Sequence, residues 1–168
     1  ALDVIYEKNA LPSITGHICD HQCQYNCTRM DYEGSVKIRE MKKQAVLNGF
    51  DEYMKRWEKP TKNKDSKVVV IGGGPAGLSA SFFLAREGFD VTVHEKHHSA
   101  GGVIEHVIPK FRISAEAILH DINFVKAHGV KFKYSMPVEF NISDLKKEGY
   151  KYVVVATGAE KVKAYDIE

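Results

Sequence analysis

The stretch of sequence that decides the fold is Val69-Val70-Ile71-Gly72-Gly73-Gly74-Pro75-Ala76-Gly77. Three β-branched residues, which favour a strand, lead directly into glycines at positions 72, 74 and 77. This G-x-G-x-x-G spacing allows a strand to turn tightly into a helix whose free N–H groups face a phosphate. Gly72 permits the turn, Gly74 lets a pyrophosphate approach the backbone, and Gly77 permits close helix–strand packing. The stretch predicts a dinucleotide-binding turn, with Pro75 and Ala76 opening the helix.

An acidic residue follows at the end of the next predicted strand. Glu95 lies roughly 20 residues beyond the first glycine, where a carboxylate accepts hydrogen bonds from ribose hydroxyls. His94 precedes it and faces the other way by strand alternation, so we expect a packing role for His94. Glu95 suits the ribose of NAD as well as that of FAD, and the glycine motif alone does not choose between them.

Strand and helix signals alternate after residue 66. The predicted elements are strands over Lys67–Ile71, Asp90–His94, Val130–Tyr134 and Tyr150–Ala156, and helices over Pro75–Glu87, 114–128 and Ser143–Lys147. Ser114 is the predicted N-cap of the second of these helices. The alternation predicts an α/β fold, a Rossmann-like parallel sheet covered on both faces.

The first third of the chain is different in character. Apolar residues between Ile38 and Trp57 recur at three- and four-residue steps, which predicts a helix of roughly 20 residues. Upstream, Pro12 and Gly16 predict breaks before a turn and short helix that carry the cysteines. The lysine-rich stretch 59–66 is typical of a linker. We therefore expect a helical, cysteine-containing domain over 1–58 and a dinucleotide-binding domain over 67–168.

Composition excludes several functional classes. The chain has 168 residues, 43% of them hydrophobic, which is enough for a sizeable core. Its 24 basic and 22 acidic residues give a net charge of +2, so we expect no nucleic-acid partner. Apolar runs of about five residues are far too short for a membrane span, and the first residues do not resemble a signal peptide. These features predict a cytoplasmic protein with no membrane partner.

Three cysteines lie close together as Cys19-x3-Cys23-x3-Cys27. An odd cluster of thiols in a chain without a signal peptide favours metal or cluster ligation over disulfides. Three thiolates do not complete a four-iron cluster. A zinc site that also uses His17 and His21, and free thiols without a metal, remain open alternatives.

The second half resembles the FAD-binding domain of two-dinucleotide flavoprotein reductases. The motifs that carry this likeness are the glycine stretch, Glu95-Lys96, Ala100-Gly101-Gly102 and Ala156-Thr157-Gly158. The resemblance implies FAD binding, with Lys96, Gly101, Gly102 and Val103 among its contacts. It also implies that Ala156, Thr157 and Gly158 mark the passage toward an NAD(P)H domain.

A narrower resemblance is carried by Ile108-Pro109-Lys110-Phe111-Arg112, which is similar to the glutamate synthase small subunit and dihydropyrimidine dehydrogenase group. It implies that Arg112 contacts FAD and that Val138 lies near the adenine. The segments around Cys19 and Cys27 resemble the N-terminal iron–sulfur domain of this group, with the greatest likeness to a selenate reductase iron–sulfur subunit.

In that domain, the resemblance implies that Cys19 and Cys23 serve one 4Fe-4S cluster and Cys27 another. The remaining cysteine ligands lie outside this sequence. Lys42 stands where the group has a Gln or Glu ligand, and a protonated lysine is a poor ligand.

The implied activity is that of an FAD and iron–sulfur oxidoreductase. Electrons would pass from NAD(P)H through FAD to 4Fe-4S clusters and a reductase partner. No nucleophile with a base and no paired carboxylates stand out, so no catalytic residue is predicted. These 168 residues alone are expected to be inactive and to assemble no cluster. The alternative is an NAD-binding regulatory or scaffold module with a structural zinc site.

Overall fold

The protein begins with three helices and continues as alternating strands and helices; the structure, a computed structural model, describes residues 1–159. Its elements in chain order are α1 (Leu2–Lys8), α2 (Pro12–Ile18), α3 (Ile38–Arg56), β1 (Lys67–Ile71), α4 (Pro75–Arg86), β2 (Asp90–His94), α5 (Val103–His106), α6 (Ala115–Ala127), β3 (Lys131–Lys133), α7 (Ile142–Lys147) and β4 (Tyr150–Val155). Residues 160–168, the end of the predicted second domain, lie outside the described residues. Over the described range, no helix has the length and apolar character needed to cross a membrane.

The four strands form one parallel sheet. Strand β1 pairs with β2 on one side and β4 on the other, and the order across the sheet is β3-β2-β1-β4. Ile71 is in register with His94 and with Val155, so three strands end at the same edge. This topology confirms the predicted Rossmann-like α/β fold. It also brings the segments that follow these strands together at one edge.

The two faces of β1 belong to different cores. Because side chains alternate along a strand, Val68 and Val70 join the larger core with α4 and α6, while Val69 and Ile71 face the opposite side. On that side they pack in a smaller cluster with Leu145 of α7. Both faces of the sheet therefore carry a helix, as predicted.

The N-terminal helices pack on the larger core. The ring of Tyr6 in α1 lies 5.9 Å from the ring of Phe82 in α4 and 4.7 Å from that of Phe124 in α6. Arg86 Nη1 at the end of α4 also donates a hydrogen bond of 2.9 Å to the carbonyl oxygen of Tyr6. The helical segment and the sheet thus form one packed unit, and the division at residues 59–66 stays a prediction.

The apolar stripe predicted over Ile38–Trp57 does form a helix, but only its later part is buried. Val46 is 2% exposed, and Tyr53 and Trp57 pack against the core. In the first turn, Ile38 and Met41 are 53% and 65% exposed. Helical spacing therefore located α3 but did not show which of its turns meet the core.

The predicted breaks at Pro12 and Gly16 are wrong, because both residues lie within α2. Pro12 occupies the first turn, where a missing N–H costs no helical hydrogen bond. Gly16 allows α2 to approach α3 closely, since a Cβ there would lie 3.2 Å from the Cβ of Lys43. Packing between two helices, which local sequence does not reveal, accounts for this glycine.

Replacing Phe82 with alanine should lower the free energy of unfolding by about 3–5 kcal/mol, because its ring is 1% exposed in the aromatic core. Urea unfolding followed by circular dichroism measures this change. The matched control is Phe111→Ala, which removes the same atoms at a position that is 93% exposed. This control should change stability by less than about 0.5 kcal/mol. Similar losses in both variants would contradict the assignment of the core.

Candidate functional site

The turn from β1 into α4, residues 72–77 and hereafter the glycine turn, has no room for side chains at two of its glycines. Gly72 has φ 106°, and a Cβ there would lie 2.4 Å from the carbonyl oxygen of Ala156. A Cβ on Gly77 would lie 1.9 Å from the carbonyl oxygen of Gly72. Gly74 is different, because its φ of −76° suits any residue and its Cβ would meet only Gly102 Cα, at 3.8 Å. Gly72 and Gly77 are therefore required by the fold, whereas Gly74 leaves space at the surface.

The glycine turn presents free backbone donors. The first helical hydrogen bond of α4 runs from the N–H of Leu78 to the carbonyl of Gly74, at 2.8 Å. Within residues 1–159, no acceptor is bonded to the N–H groups of Gly74, Ala76 or Gly77, and Pro75 has no N–H to satisfy. The positive end of the helix dipole adds to these donors. The arrangement fits a diphosphate such as that of FAD or NAD.

Glu95 bonds directly to the glycine turn. Glu95 is buried, with 4% of its surface exposed. Oε2 accepts the N–H of Gly73 at 2.6 Å, and Oε1 accepts the N–H of His97 at 2.9 Å. A carboxylate has about four acceptor positions, which is more than these two bonds use. Glu95 thus holds the glycine turn in place.

Gly73, which the sequence motif did not single out, also belongs to the glycine turn's hydrogen-bond network. Besides donating to Glu95, it accepts a hydrogen bond of 2.8 Å at its carbonyl from the N–H of Gly101. A Cβ on Gly73 would lie 2.9 Å from Glu95 Oε2. The run of three glycines was the available signal, but the G-x-G-x-x-G pattern leaves its second position unspecified.

The second pair of glycines packs on the first. Gly102 has φ 54°, and a Cβ there would lie 2.9 Å from Gly74 Cα. Val103 follows as the first residue of α5 and is 52% exposed. The structure therefore brings the predicted Gly101-Gly102 segment directly against the glycine turn.

The Ala156-Thr157-Gly158 segment reaches the same edge of the sheet. The N–H of Ala156 donates to the carbonyl of Ile71 at 2.8 Å, and the Ala156 carbonyl borders Gly72. Thr157 and Gly158 are exposed beyond it. The loop after β2 and the segment after β4 thus both contact the glycine turn, which follows β1. These three segments are distant from one another in sequence.

Three further predicted contacts lie at the periphery. The N–H of Met136 donates to the carbonyl of Glu95 at 3.0 Å, which places the segment of Val138 beside the end of β2, and Val138 is 70% exposed. Lys96 is partly exposed next to Glu95. Arg112 is exposed, and no hydrogen bond or ion pair joins its guanidinium to another residue in the described range. The structure does not bring Arg112 into contact with the glycine turn.

The side chain of His94 packs away from the glycine turn, although its backbone carbonyl accepts the N–H of Gly72 at 2.8 Å. The residue is 6% exposed, and its ring packs edge-to-face against Tyr150 at a centroid distance of 5.9 Å. Burial lowers the pKa of this imidazole, which favours its neutral form. Its position agrees with the packing role expected from strand alternation.

The cysteine segment, residues 19–27, follows α2 in two short helical turns. Cys23 is exposed, and Cys19 Sγ accepts a hydrogen bond of 3.4 Å from the N–H of His21. Hydrogen bonds from the backbone at Val36 and then Arg29 lower the pKa of the Cys27 thiol, which favours its thiolate.

The three thiols are not gathered around one point. Residues 1–159 contain no group of three or more His, Cys, Asp and Glu side chains placed to hold a metal ion. The segment in this arrangement does not fit a complete four-iron cluster or a zinc site. His17, one of the possible zinc ligands, has its Nδ1 hydrogen-bonded to the carbonyl of Ser13 at 2.8 Å.

Comparison with known proteins identifies families and relatives of this chain. Residues 1–53 match the family described as dihydropyrimidine dehydrogenase domain II, 4Fe-4S cluster. YgfK of Escherichia coli (strain K12), whose name marks it as a candidate oxidoreductase, is 57% identical over 162 residues, which are 96% of this chain and 16% of YgfK. Among solved structures, histamine dehydrogenase from Rhizobium sp. 4-9 aligns with 66% of this chain and 17% of its own, at 24% identity and a TM-score of 0.49.

Two other relatives have named activities. The NADPH-Fe(3+) oxidoreductase subunit beta of Geobacter sulfurreducens (strain DL-1 / KN400) is 31% identical over 171 residues, covering 100% of this chain and 25% of that protein. The glutamate synthase [NADPH] small chain of Bacillus subtilis (strain 168) is 29% identical over 169 residues, which cover 100% of this chain and 34% of that protein. These relatives confirm the resemblance to the glutamate synthase and dihydropyrimidine dehydrogenase group. The present chain spans only 16 to 34% of the relatives' own lengths.

The longer of the two family matches covers the sheet and the whole glycine turn. Residues 66–168, more than half of the chain, match the pyridine nucleotide-disulphide oxidoreductase family. The protein therefore belongs to the pyridine nucleotide-disulphide oxidoreductase family.

Proposed function

We propose that this chain binds FAD at the glycine turn and forms part of a longer NAD(P)H-dependent oxidoreductase. The observation that carries the proposal is the meeting of three segments, after β1, β2 and β4, around free backbone N–H groups. The proposed contacts are Gly72, Gly74, Pro75, Ala76, Gly77, Glu95, Lys96, Gly101, Gly102, Val103, Arg112, Val138, Ala156, Thr157 and Gly158.

The choice of FAD over NAD rests on the second pair of glycines and the segment after β4. An NAD module needs the glycine turn and an acid at the end of β2, but it does not require Gly101-Gly102 or Ala156-Thr157-Gly158. Here the N–H of Gly101 bonds to Gly73, and the carbonyl of Ala156 borders Gly72. The chain itself would bind and orient the cofactor, and bound flavin would supply the hydride and electron chemistry.

In the longer protein, we infer that electrons pass from NAD(P)H through FAD to 4Fe-4S clusters and a reductase domain or subunit. Cys19, Cys23 and Cys27 are the ligands that this chain would contribute. The names of the Geobacter and Bacillus relatives, both of which refer to NADPH, support this route. We propose a cytoplasmic location, in keeping with free thiols.

The alternative of an NAD-binding module with structural zinc receives less support. It would need a set of zinc ligands, and the described range contains no such group. Titration with FAD and with NAD, read by quenching of flavin fluorescence and by calorimetry, distinguishes the two functions. Tighter binding of NAD than of FAD would favour the alternative.

Replacing Gly74 with alanine should weaken FAD binding about tenfold or more, because a Cβ would occupy the surface that the diphosphate approaches. Stability should change by no more than about 1 kcal/mol, since no described atom lies closer than 3.8 Å to this Cβ. The matched variant is Gly77→Ala, which should lose about 3 kcal/mol of stability through overlap with Gly72. Thermal unfolding and FAD titration report both effects. Unchanged FAD affinity in folded Gly74→Ala would count against the site.

Replacing Arg112 with alanine should weaken FAD binding about tenfold, because a guanidinium paired with a phosphate is a charge-assisted contact. The loss should shrink at high salt, since the side chain is exposed. Lys110→Ala is the control, because Lys110 is an exposed cation two residues away that pairs with Glu105 at 3.0 Å. Equal effects of the two substitutions would assign only a general electrostatic role to Arg112.

The 168-residue chain loaded with FAD should not oxidise NAD(P)H at an appreciable rate. We infer that NAD(P)H binding and electron transfer need parts of the longer protein outside this chain, which spans only 16 to 34% of the relatives' lengths. Anaerobic assay with ferricyanide as acceptor, with the full-length protein as positive control, tests this expectation. Rapid turnover by the 168-residue chain would show that it holds a complete NAD(P)H site.

A further inference from the structure

We propose that Asp121 is a positioning residue that fixes the cysteine segment relative to the dinucleotide-binding sheet. Asp121 lies in the middle of α6 and is 0% exposed. Its two carboxylate oxygens accept hydrogen bonds from the backbone N–H groups of Ser13, at 3.2 Å, and Ile14, at 2.8 Å. These partners are 108 and 107 residues away in sequence. A carboxylate from the α/β part of the chain therefore holds a helix of the N-terminal part.

The two bonded N–H groups belong to the first turn of α2. Such groups have no partner within their own helix and are usually capped by a side chain just before it. Here the N-cap residue is Leu11, which has no side-chain acceptor, and Pro12 follows it. Asp121 supplies the missing cap from another helix, and both of its oxygens take part.

This cap places an ionisable side chain in the core, where Asp121 is 0% exposed. Burial raises the pKa of Asp121, while hydrogen bonds from His120, Ile14 and Ser13 oppose that rise. A cap from position 11 would not avoid this burial, because Leu11 is itself 4% exposed and belongs to the core. A buried charge is weak evidence for stability and can instead specify a unique arrangement of the parts it joins. The arrangement specified here is the position of α2 on α6.

The position of α2 also determines the position of Cys19, the first cysteine. Cys19 directly follows α2, and its N–H donates to the carbonyl of Thr15 at 3.2 Å. From α3, Arg39 Nη1 donates to the carbonyl oxygen of Cys19 at 3.1 Å. The helix is therefore held at its start by Asp121 and at its end by Arg39.

The same helix α6 connects to the proposed flavin site. It begins after Ser114, whose side chain accepts the N–H of Ala117, and this cap follows the Arg112-Ile113 segment. Ile113 is 1% exposed, so the start of α6 is anchored in the core. The meaning of the contact for electron transfer rests on the proposed function, in which cysteine segment and flavin site need a constant separation. The position of α2 on α6 does not depend on that function.

The test measures position directly, on the full 168-residue chain without cofactor. After Cys19, Cys23 and Cys27 are changed to serine, spin labels are attached at Asp20→Cys and Lys147→Cys. Both native side chains are exposed, the first beside Cys19 and the second on α7 across the sheet. Double electron–electron resonance gives the distribution of distances between the labels. Asp121→Ala should shift or broaden this distribution, and Asp121→Asn, which keeps one acceptor oxygen, should give an intermediate change.

Val125→Ala is the matched control, because Val125 lies one turn later on α6 and is also 0% exposed. It should lower stability without altering the distance distribution. An unchanged distribution in folded Asp121→Ala would overturn the proposal. If that variant does not fold, Asp121→Asn decides in the same way. Failure of FAD binding would refute the proposed function but would leave this measurement unaffected.

Discussion

Close approach of backbone to backbone at one edge of the sheet is the constraint on which the rest of the structure depends. Gly72 lies against the carbonyl of Ala156, Gly77 against the carbonyl of Gly72, and Gly102 against Gly74. Because no Cβ separates these segments, the ends of β1 and β4 and the loop after β2 form one compact surface. The N–H groups of Ala76 and Gly77, at the start of α4, have no acceptor within residues 1–159. The proposed diphosphate site depends on the absence of those side chains.

The buried carboxylate of Glu95 holds the glycine turn in place. Glu95 bonds to the N–H of Gly73 and of His97, so the end of β2 and the glycine turn hold one another before any ligand arrives. Asp121 plays a comparable part for α2, where it bonds to Ser13 and Ile14. In both cases an ionisable group in the interior receives backbone N–H groups that would otherwise lack acceptors. The two contacts join segments that sequence places far apart.

Local patterns predicted the elements of the α/β half with small errors, except for the short helix α5, which they did not indicate. Strands β1 and β2 have the predicted bounds, and Ser114 caps α6 through the N–H of Ala117, as its position before Glu116 suggested. The N-terminal part was predicted less well. Helix α1 was missed, and the glycine within α2 was taken for a break. A seven-residue helix has little stability of its own, so packing of buried residues such as Tyr6 decides it.

The sequence by itself determined the parallel sheet, the glycine turn, the acid at its side and the family to which the chain belongs. These features depend on residue type and short-range spacing, since glycine geometry and strand alternation act within a few residues. Only the tertiary structure decided that Gly73 bonds to Glu95, that the second pair of glycines packs on the first, and that Asp121 caps α2. Those contacts depend on which distant backbone groups come together when the chain folds. Residue spacing along the sequence therefore does not predict them.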